Sequence, residues 1–419
     1  MTTGGPSLDR PVYRPFALLA FAAILLLGAP LGMWLLMRPA GTAASLIWLH
    51  AVVQLFGFLA TLIVGVAHHL LPRFTGRAVR PTALTSWLFA GLAAALVLRV
   101  AGAMAPEDAG ATVVASVGGA LVHTITFASF AAWVWRTLDP PPLRLVRVQL
   151  TLSSAWLAAA AALETWLRVR SRGVPDAAGM QVVYAMALAG GVLGWVLGVL
   201  LRAGPMFVGD WRVPTWLARA TPGTLALSVG LTAASAAGAP SIVARAADML
   251  AVATVAAVML AAGALRRSPR ALPMLSRSVP EARIFRVAVA SSLAASVLAL
   301  WALALGPDAP RALTDAIRHL VAIGVVGAIV IAMTFRLIPP LEGRPLPWPG
   351  LRSVALWTLA GALVLRTSQV LVPLGWHAVT PLVGASAVLA WAAFACAGSS
   401  FVSRPPTGAS GPVSTEGRT

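Results

Sequence analysis

Six histidines set among long apolar runs are the side chains most able to do chemistry in this sequence. They are His50, His68, His69, His123, His319 and His377. Neutral imidazole is a common ligand of iron and other transition metals. Ionisable or ligating groups inside apolar segments are costly to bury, which makes them candidates for function. Their positions along the apolar runs therefore decide which of them can act together.

The apolar runs indicate an all-α membrane protein. The hydrophobic fraction is 59% and the charged fraction is 11%, which is more apolar surface than a soluble protein could bury in its own core. A helix needs roughly 20 apolar residues to cross a bilayer. Twelve such runs predict one polytopic membrane domain over residues 1–402, with spans at about 15–37, 46–71, 82–103, 111–136, 147–168, 178–202, 214–238, 244–266, 283–306, 312–338, 351–373 and 377–398.

A Pro-x-x-x-Gly pattern recurs after three of these runs, at Pro72, Pro205 and Pro339. The intervals are nearly equal, 133 (205 − 72) and 134 (339 − 205) residues. A nitrogen-rich side chain stands three residues before each proline, at His69, Arg202 and Arg336. The pattern predicts three pseudo-repeated four-helix units, about 15–136, 147–266 and 283–398, with helices 2, 6 and 10 equivalent. The alternative is chance recurrence of two common helix-stop residues.

His50 and His319 fall at matching depths in helices 2 and 10, which are 22 (72 − 50) and 20 (339 − 319) residues before the prolines. Imidazoles on two neighbouring inner helices could hold one metal or haem iron between them. In helix 6 the equivalent place falls at Tyr184, with Gln181 about one turn earlier. Arg318, next to His319, could pair with a haem propionate. The alternative for these residues is a structural or interfacial role.

Helix 2 also carries a polar face at helical spacing, formed by His50, Gln54, Thr61 and His68. The 18 residues (68 − 50) between the two histidines correspond to five helical turns, so both imidazoles are expected to point the same way. Gly57 and Gly65 are expected to leave room for a flat macrocycle beside this face.

The other histidines are weaker candidates. His68 and His69 could form a second metal site or a proton path, or they could be interface residues beside an arginine-rich loop. His123 lies in the middle of the fourth run, where a ligand role stands against a hydrogen bond to a neighbouring helix. His377 is expected to be interfacial. Glu164 is expected to pair with Arg168 at the membrane surface, with proton handling as its alternative.

Arginine alone supplies the positive charge, since none of the 31 basic residues is lysine and the net charge is +18. The arginines stand between apolar runs, which indicates membrane topology and not nucleic-acid binding. Their distribution favours both termini in the cytoplasm. The first run lacks a cleavage pattern and is expected to be a span. The single cysteine, Cys396, excludes an intrachain disulfide and a cysteine cluster. Residues 403–419 are expected to form a disordered cytoplasmic tail.

Two segments resemble the NnrS family of bacterial membrane proteins. The first runs from Trp48-Leu49-His50 through Gln54-Leu55-Phe56-Gly57-Phe58 to His68-His69-Leu70-Leu71-Pro72-Arg73, and the second from Arg318-His319 through Gly324 and Gly327 to Arg336. NnrS proteins have twelve helices, are associated with responses to nitric oxide and are described as containing haem and copper. The resemblance implies a bacterial inner-membrane protein of nitric oxide response or tolerance. It implies haem b at His50 and His319, copper as a further candidate metal, and nitric oxide or an electron donor as partner beside the lipid bilayer.

A more distant likeness is to subunit I of the haem-copper oxidases and nitric oxide reductases. That subunit has twelve helices in a pseudo-three-fold arrangement, and its low-spin haem is held by histidines of helices 2 and 10, which correspond to His50 and His319. Its copper site requires histidines on helix 6 and on the helix after it, but runs 6 to 8 contain none. Oxygen or nitric oxide reduction by that mechanism is therefore not expected. A copper ion would need another site, with His68, His69 or His123 as the remaining nitrogen ligands.

Two other classes of function stay open. Internal repeats and polar residues near the midplane also suit a transporter, although few charges fall within the runs. A cofactor-free assembly factor for respiratory complexes is the third reading. The sequence leaves open whether a haem protein of this kind turns over a substrate, senses one or passes electrons.

Overall fold

The described part of the chain forms a bundle of twelve long helices. The computed structural model describes residues 11–37, 44–105, 110–138, 144–206, 212–265, 279–342 and 345–402, and these ranges contain no β-strand. The helices are α1 Arg14–Leu36, α2 Ala44–Phe74, α3 Ala83–Met104, α4 Gly110–Thr137, α5 Arg144–Arg170, α6 Ala177–Ala203, α7 Thr215–Ala236, α8 Ser241–Ala261, α9 Pro280–Asp308, α10 Arg311–Glu342, α11 Leu351–Leu374 and α12 His377–Val402. This confirms the all-α, multi-span architecture, with bounds within a few residues of the predicted runs. The predicted tail, 403–419, lies outside the described residues.

Eleven of these helices are long and apolar enough to cross a bilayer, and α7 is the exception. Arg219, Pro222 and several threonine, serine and glycine residues lower the hydropathy of α7. Helix α7 nevertheless packs against α5, α6 and α8 within the bundle. Neighbouring helices can therefore shield a segment whose own sequence is only weakly apolar.

Helices α2, α6 and α10 form the interior of the bundle. In each of them 72% of the most apolar stretch is buried, compared with 33–44% in the other eight apolar spans. Helix α6 contacts both α2 and α10. The remaining nine helices make a closed ring of contacts around them, in the order α1, α3, α4, α5, α7, α8, α9, α11, α12 and back to α1.

The three inner helices share one internal irregularity. Each begins with nine α-helical residues and continues with an eight-residue π-helical segment, Val53–Ala60 in α2, Met186–Leu193 in α6 and Leu320–Gly327 in α10. These segments start 133 (186 − 53) and 134 (320 − 186) residues apart, the intervals that also separate the three prolines. A further π segment, Ala23–Gly28, lies in α1. The matched positions support the three-fold repeat, because π segments are rare in ordinary helices.

The first and last described residues meet at one end of the bundle. The Tyr13 and Phe401 rings lie 6.2 Å apart, and Arg14 Nη2 donates a 2.9 Å hydrogen bond to the Phe401 carbonyl. The His69 ring is 5.0 Å from Tyr13, so we name this the His69 end. Helix α2 begins at the opposite, His50 end.

Gly65 allows α1 and α2 to approach closely, and its replacement should separate them. A Cβ atom at Gly65 would lie 2.3 Å from Phe16 Cβ and 3.2 Å from the Tyr13 carbonyl oxygen. We expect Gly65→Ala to destabilise the bundle by about 1–3 kcal/mol, as overpacking does, measured as a lower thermal midpoint in detergent. Gly384→Ala in α12 is the matched control, since nothing lies within 4 Å of its added Cβ. Equal midpoints for the two variants would contradict this packing.

Candidate functional site

A cavity of 480 Å³ lies among the inner helices toward the His50 end. Its walls include all five residues that the sequence proposed around a cofactor, namely His50, Gln54, Tyr184, Arg318 and His319. They come from the first half of α2, α6 and α10, so these three helices run parallel. The volume falls within the roughly 300–1,000 Å³ of small-molecule and cofactor sites.

His50 is held in one orientation by α1. Its Nδ1 atom lies 2.8 Å from the carbonyl oxygen of Gly28. Because the carbonyl can only accept, Nδ1 carries the proton and the lone pair is on Nε2. Gly32 leaves room for the ring, since a Cβ there would lie 2.6 Å from His50 Cε1. A backbone hydrogen bond of this kind is the usual second-shell support of a ligating histidine.

His319 has the same backbone arrangement and an additional cation. Its Nδ1 atom lies 2.8 Å from the Asp315 carbonyl oxygen, which again leaves the lone pair on Nε2. The Nη2 atom of Arg366, in α11, lies 3.2 Å from both ring nitrogens of His319 and 2.6 Å from Asp315 Oδ2. The guanidinium is therefore equally close to both ring nitrogens, and its ion pair with Asp315 keeps it beside the ring.

The two histidines belong to one electrostatic environment. Arg366 and Asp315 line the same cavity as His50 and His319. The sequence did not single out Arg366, Asp315 or Asp248, which also line the cavity. The signal that could have found them is a charged residue inside an apolar run. Asp315 also precedes His319 by one helical turn.

The remaining predicted residues of this region take different positions. The Tyr184 ring packs 5.7 Å from the Trp48 ring, and its buried hydroxyl makes no hydrogen bond within the described ranges. Gly57 and Gly65 do not leave space for a macrocycle, because Leu96 of α3 and Phe16 of α1 fill the positions beside them. The expectation of free space there is wrong, since these glycines serve helix packing.

His68 does not share a face with His50. The His68 ring stacks on Trp133 at 3.9 Å, and its Nδ1 atom lies 2.8 Å from the Val64 carbonyl oxygen. The π segment between the two histidines has more residues per turn than an α-helix, so it rotates everything that follows. His69 therefore turns toward the other inner helices and lines a second cavity of 90 Å³, which is almost wholly apolar.

His123 belongs to a buried polar cluster of the first repeat. Arg99 Nε donates a 3.0 Å hydrogen bond to His123 Nδ1, and the Arg99 guanidinium also pairs with Glu164. Arg168 Nε lies 2.8 Å from the same Glu164 oxygen. The predicted pairing of Glu164 with Arg168 is present, but Glu164 is fully buried and not at the surface.

The positions of the histidines also bear on a copper site. In the described part of the chain, no three histidine, cysteine, aspartate or glutamate side chains come close enough to share a metal ion. His68, His69 and His123 have separate surroundings, and His377 is exposed at the start of α12. A two-histidine site such as His50 with His319 needs no third protein ligand.

The comparisons with known proteins supply no family. No protein-family model matches the chain, and no curated protein matches it either.

The Arg99–Glu164 pair should be essential for stability, since both partners are buried. We expect Glu164→Gln to cost about 3–5 kcal/mol, because it leaves the Arg99 charge uncompensated in an apolar bundle. The measurement is the thermal midpoint of the purified protein. Asp308→Asn, at an exposed carboxylate, is the control. A Glu164→Gln variant as stable as this control would show that the pair contributes nothing.

Proposed function

We propose that the chain is a haem b protein of the bacterial inner membrane, similar to the NnrS family and acting in nitric oxide response or tolerance. The observation that carries the proposal is that His50 and His319 line the same cavity. Bound haem would supply reversible one-electron chemistry.

The residues of the cavity fit such a group. His50 and His319 each keep an Nε2 lone pair through the hydrogen bonds of their Nδ1 atoms to backbone carbonyls. Leu55, Phe58 and Phe394 belong to the apolar walls, which exclude water and favour a porphyrin. Arg318 and Arg366 add cations to the lining, where two carboxylates of a ligand could be neutralised.

Arg366 and Asp315 act as positioning residues in this proposal. Their 2.6 Å ion pair holds a cation beside His319. That cation can move from the imidazole to an anionic group of the ligand while it stays paired with Asp315. The chain would then bind and orient the cofactor without a new buried, unpaired charge.

A transporter is the second candidate, and one observation favours it. Asp248, Asp315 and Arg366 line the cavity from within α8, α10 and α11, so charges within the spans are less scarce than the sequence suggested. Such groups also mark substrate or ion pathways. Protein purified without haem from haem-replete cells would support this reading over ours.

The two histidines should be required together for haem. We expect the wild-type protein to carry about one haem per chain and to show split α and β bands on reduction. Each of His50→Ala and His319→Ala should lose most of the haem, because an iron ligand is removed. The measurement is the haem-to-protein ratio of detergent-purified samples.

His377→Ala is the matched control, because His377 is exposed and away from the cavity lining. It should retain the wild-type ratio. Unchanged haem content in both His50→Ala and His319→Ala would overturn the assignment of the ligands.

Arginine placement orients the bundle in this proposal. The loops and helix ends at the His69 end contain Arg73, Arg77 and Arg80, so we place that end, with both termini, in the cytoplasm. A reporter that is active only in the cytoplasm should be active when it is fused after Thr419, and a reporter that is active only in the periplasm should be inactive there. Activity of a periplasmic reporter at that position would reverse the orientation.

A further inference from the structure

A small polar pocket lies beside the large cavity at the His50 end, between α2, α3, α4 and α5. Its volume is 30 Å³, which is room for about one or two water-sized groups. Its polar lining comes from Ser45, Arg99, Thr112, Ser116 and Arg168. Two guanidinium groups and three hydroxyls line it, and no described carboxylate does. We name this the Arg99–Arg168 pocket.

The charges around this pocket do not cancel. Glu164 lies behind the lining and is shared by Arg99 and Arg168, so two cations have one described carboxylate. His123 adds no charge that could compensate, because its Nδ1 accepts a hydrogen bond from Arg99. Among the described residues, one positive charge is thus left over in a largely buried cluster. Such a charge is costly unless an anion neutralises it.

One guanidinium nitrogen of the pocket also has no acceptor among the described residues. Arg99 is 3% exposed, and its Nη2 atom makes no hydrogen bond within the described ranges. Buried polar groups nearly always have a partner in the protein or in bound solvent or ions. The surplus positive charge and the unpaired Nη2 atom of Arg99 both indicate that an anionic hydrogen-bond acceptor belongs in this pocket.

We propose that the Arg99–Arg168 pocket binds one small monovalent inorganic anion, between chloride and nitrate in size. The one positive charge left over among the described residues sets the valence of the anion, and the 30 Å³ volume sets its size. Guanidinium N–H groups and serine or threonine hydroxyls are the donors that such an anion needs. The site is separate from the proposed haem site and does not depend on it.

The pocket is nevertheless adjacent to the large cavity. Trp48 of α2 lines both, and its buried indole Nε1 makes no hydrogen bond within the described ranges. Only the Trp48 side chain would therefore separate a bound anion from the cavity that His50 and Tyr184 line.

A carboxylate of the chain is the competing occupant. Glu107 and Asp108 fall between two lining residues, Ala105 and Thr112, and lie outside the described residues. The test must therefore distinguish a free anion from these side chains.

The test is titration calorimetry on the full chain in detergent. The protein is exchanged into gluconate, an anion too large for the pocket, and then titrated with chloride or nitrate. We expect saturable binding of about one anion per chain. Arg168→Gln should weaken it at least tenfold, and Ser116→Ala, which keeps every charge, should weaken it several-fold. Arg170→Gln is the matched control, because Arg170 is exposed and lies over Trp166.

Three outcomes would overturn the proposal. The first is no saturable binding by the wild-type protein. The second is wild-type affinity in both Arg168→Gln and Ser116→Ala. The third is binding only in the double variant Glu107→Gln/Asp108→Asn, which would show that the chain fills the pocket itself. None of these results bears on haem content, so the proposed function is tested separately.

Discussion

A bilayer offers no hydrogen bonds, so a polar side chain that is buried in the bundle needs its partner inside the bundle. This constraint explains most of the polar geometry. His50 donates to Gly28 of α1, His319 is held by its own helix and by Arg366 of α11, and Arg99 is shared between His123 and Glu164. Where such partners are incomplete, at Arg99 Nη2 or at the Nε2 atom of His50, the structure has a cavity beside them.

The 480 Å³ cavity lies at the His50 end of the bundle for a structural reason. The inner helices run parallel, and each has its π segment after nine residues. The first halves of the three helices therefore present His50, Tyr184 and His319 to one space. The second halves close on a smaller apolar cavity near His69. Leu59 lines both the 480 Å³ cavity and the 90 Å³ cavity, and it separates the polar end from the apolar end.

The sequence predicted the spans, their near-equal repeat and five residues that line one cavity. The hydropathy of the runs and the spacing of the prolines can both be read directly from the sequence. It missed what depends on tertiary structure. The face shared by His50 and His68 was inferred from a regular α-helix, which the π segment interrupts. Arg366 reaches His319 from another helix, and Arg99 reaches Glu164 across the first repeat. Spacing along one helix could reveal neither contact.

The central claim is that His50 and His319 bind the same iron atom, and electron paramagnetic resonance of the oxidised, detergent-purified protein tests it most directly. Two imidazole ligands predict a low-spin ferric signal that accounts for the haem present. A protein that contains haem but gives only a high-spin ferric signal would contradict the claim, since one of the two imidazoles would then be absent from the iron.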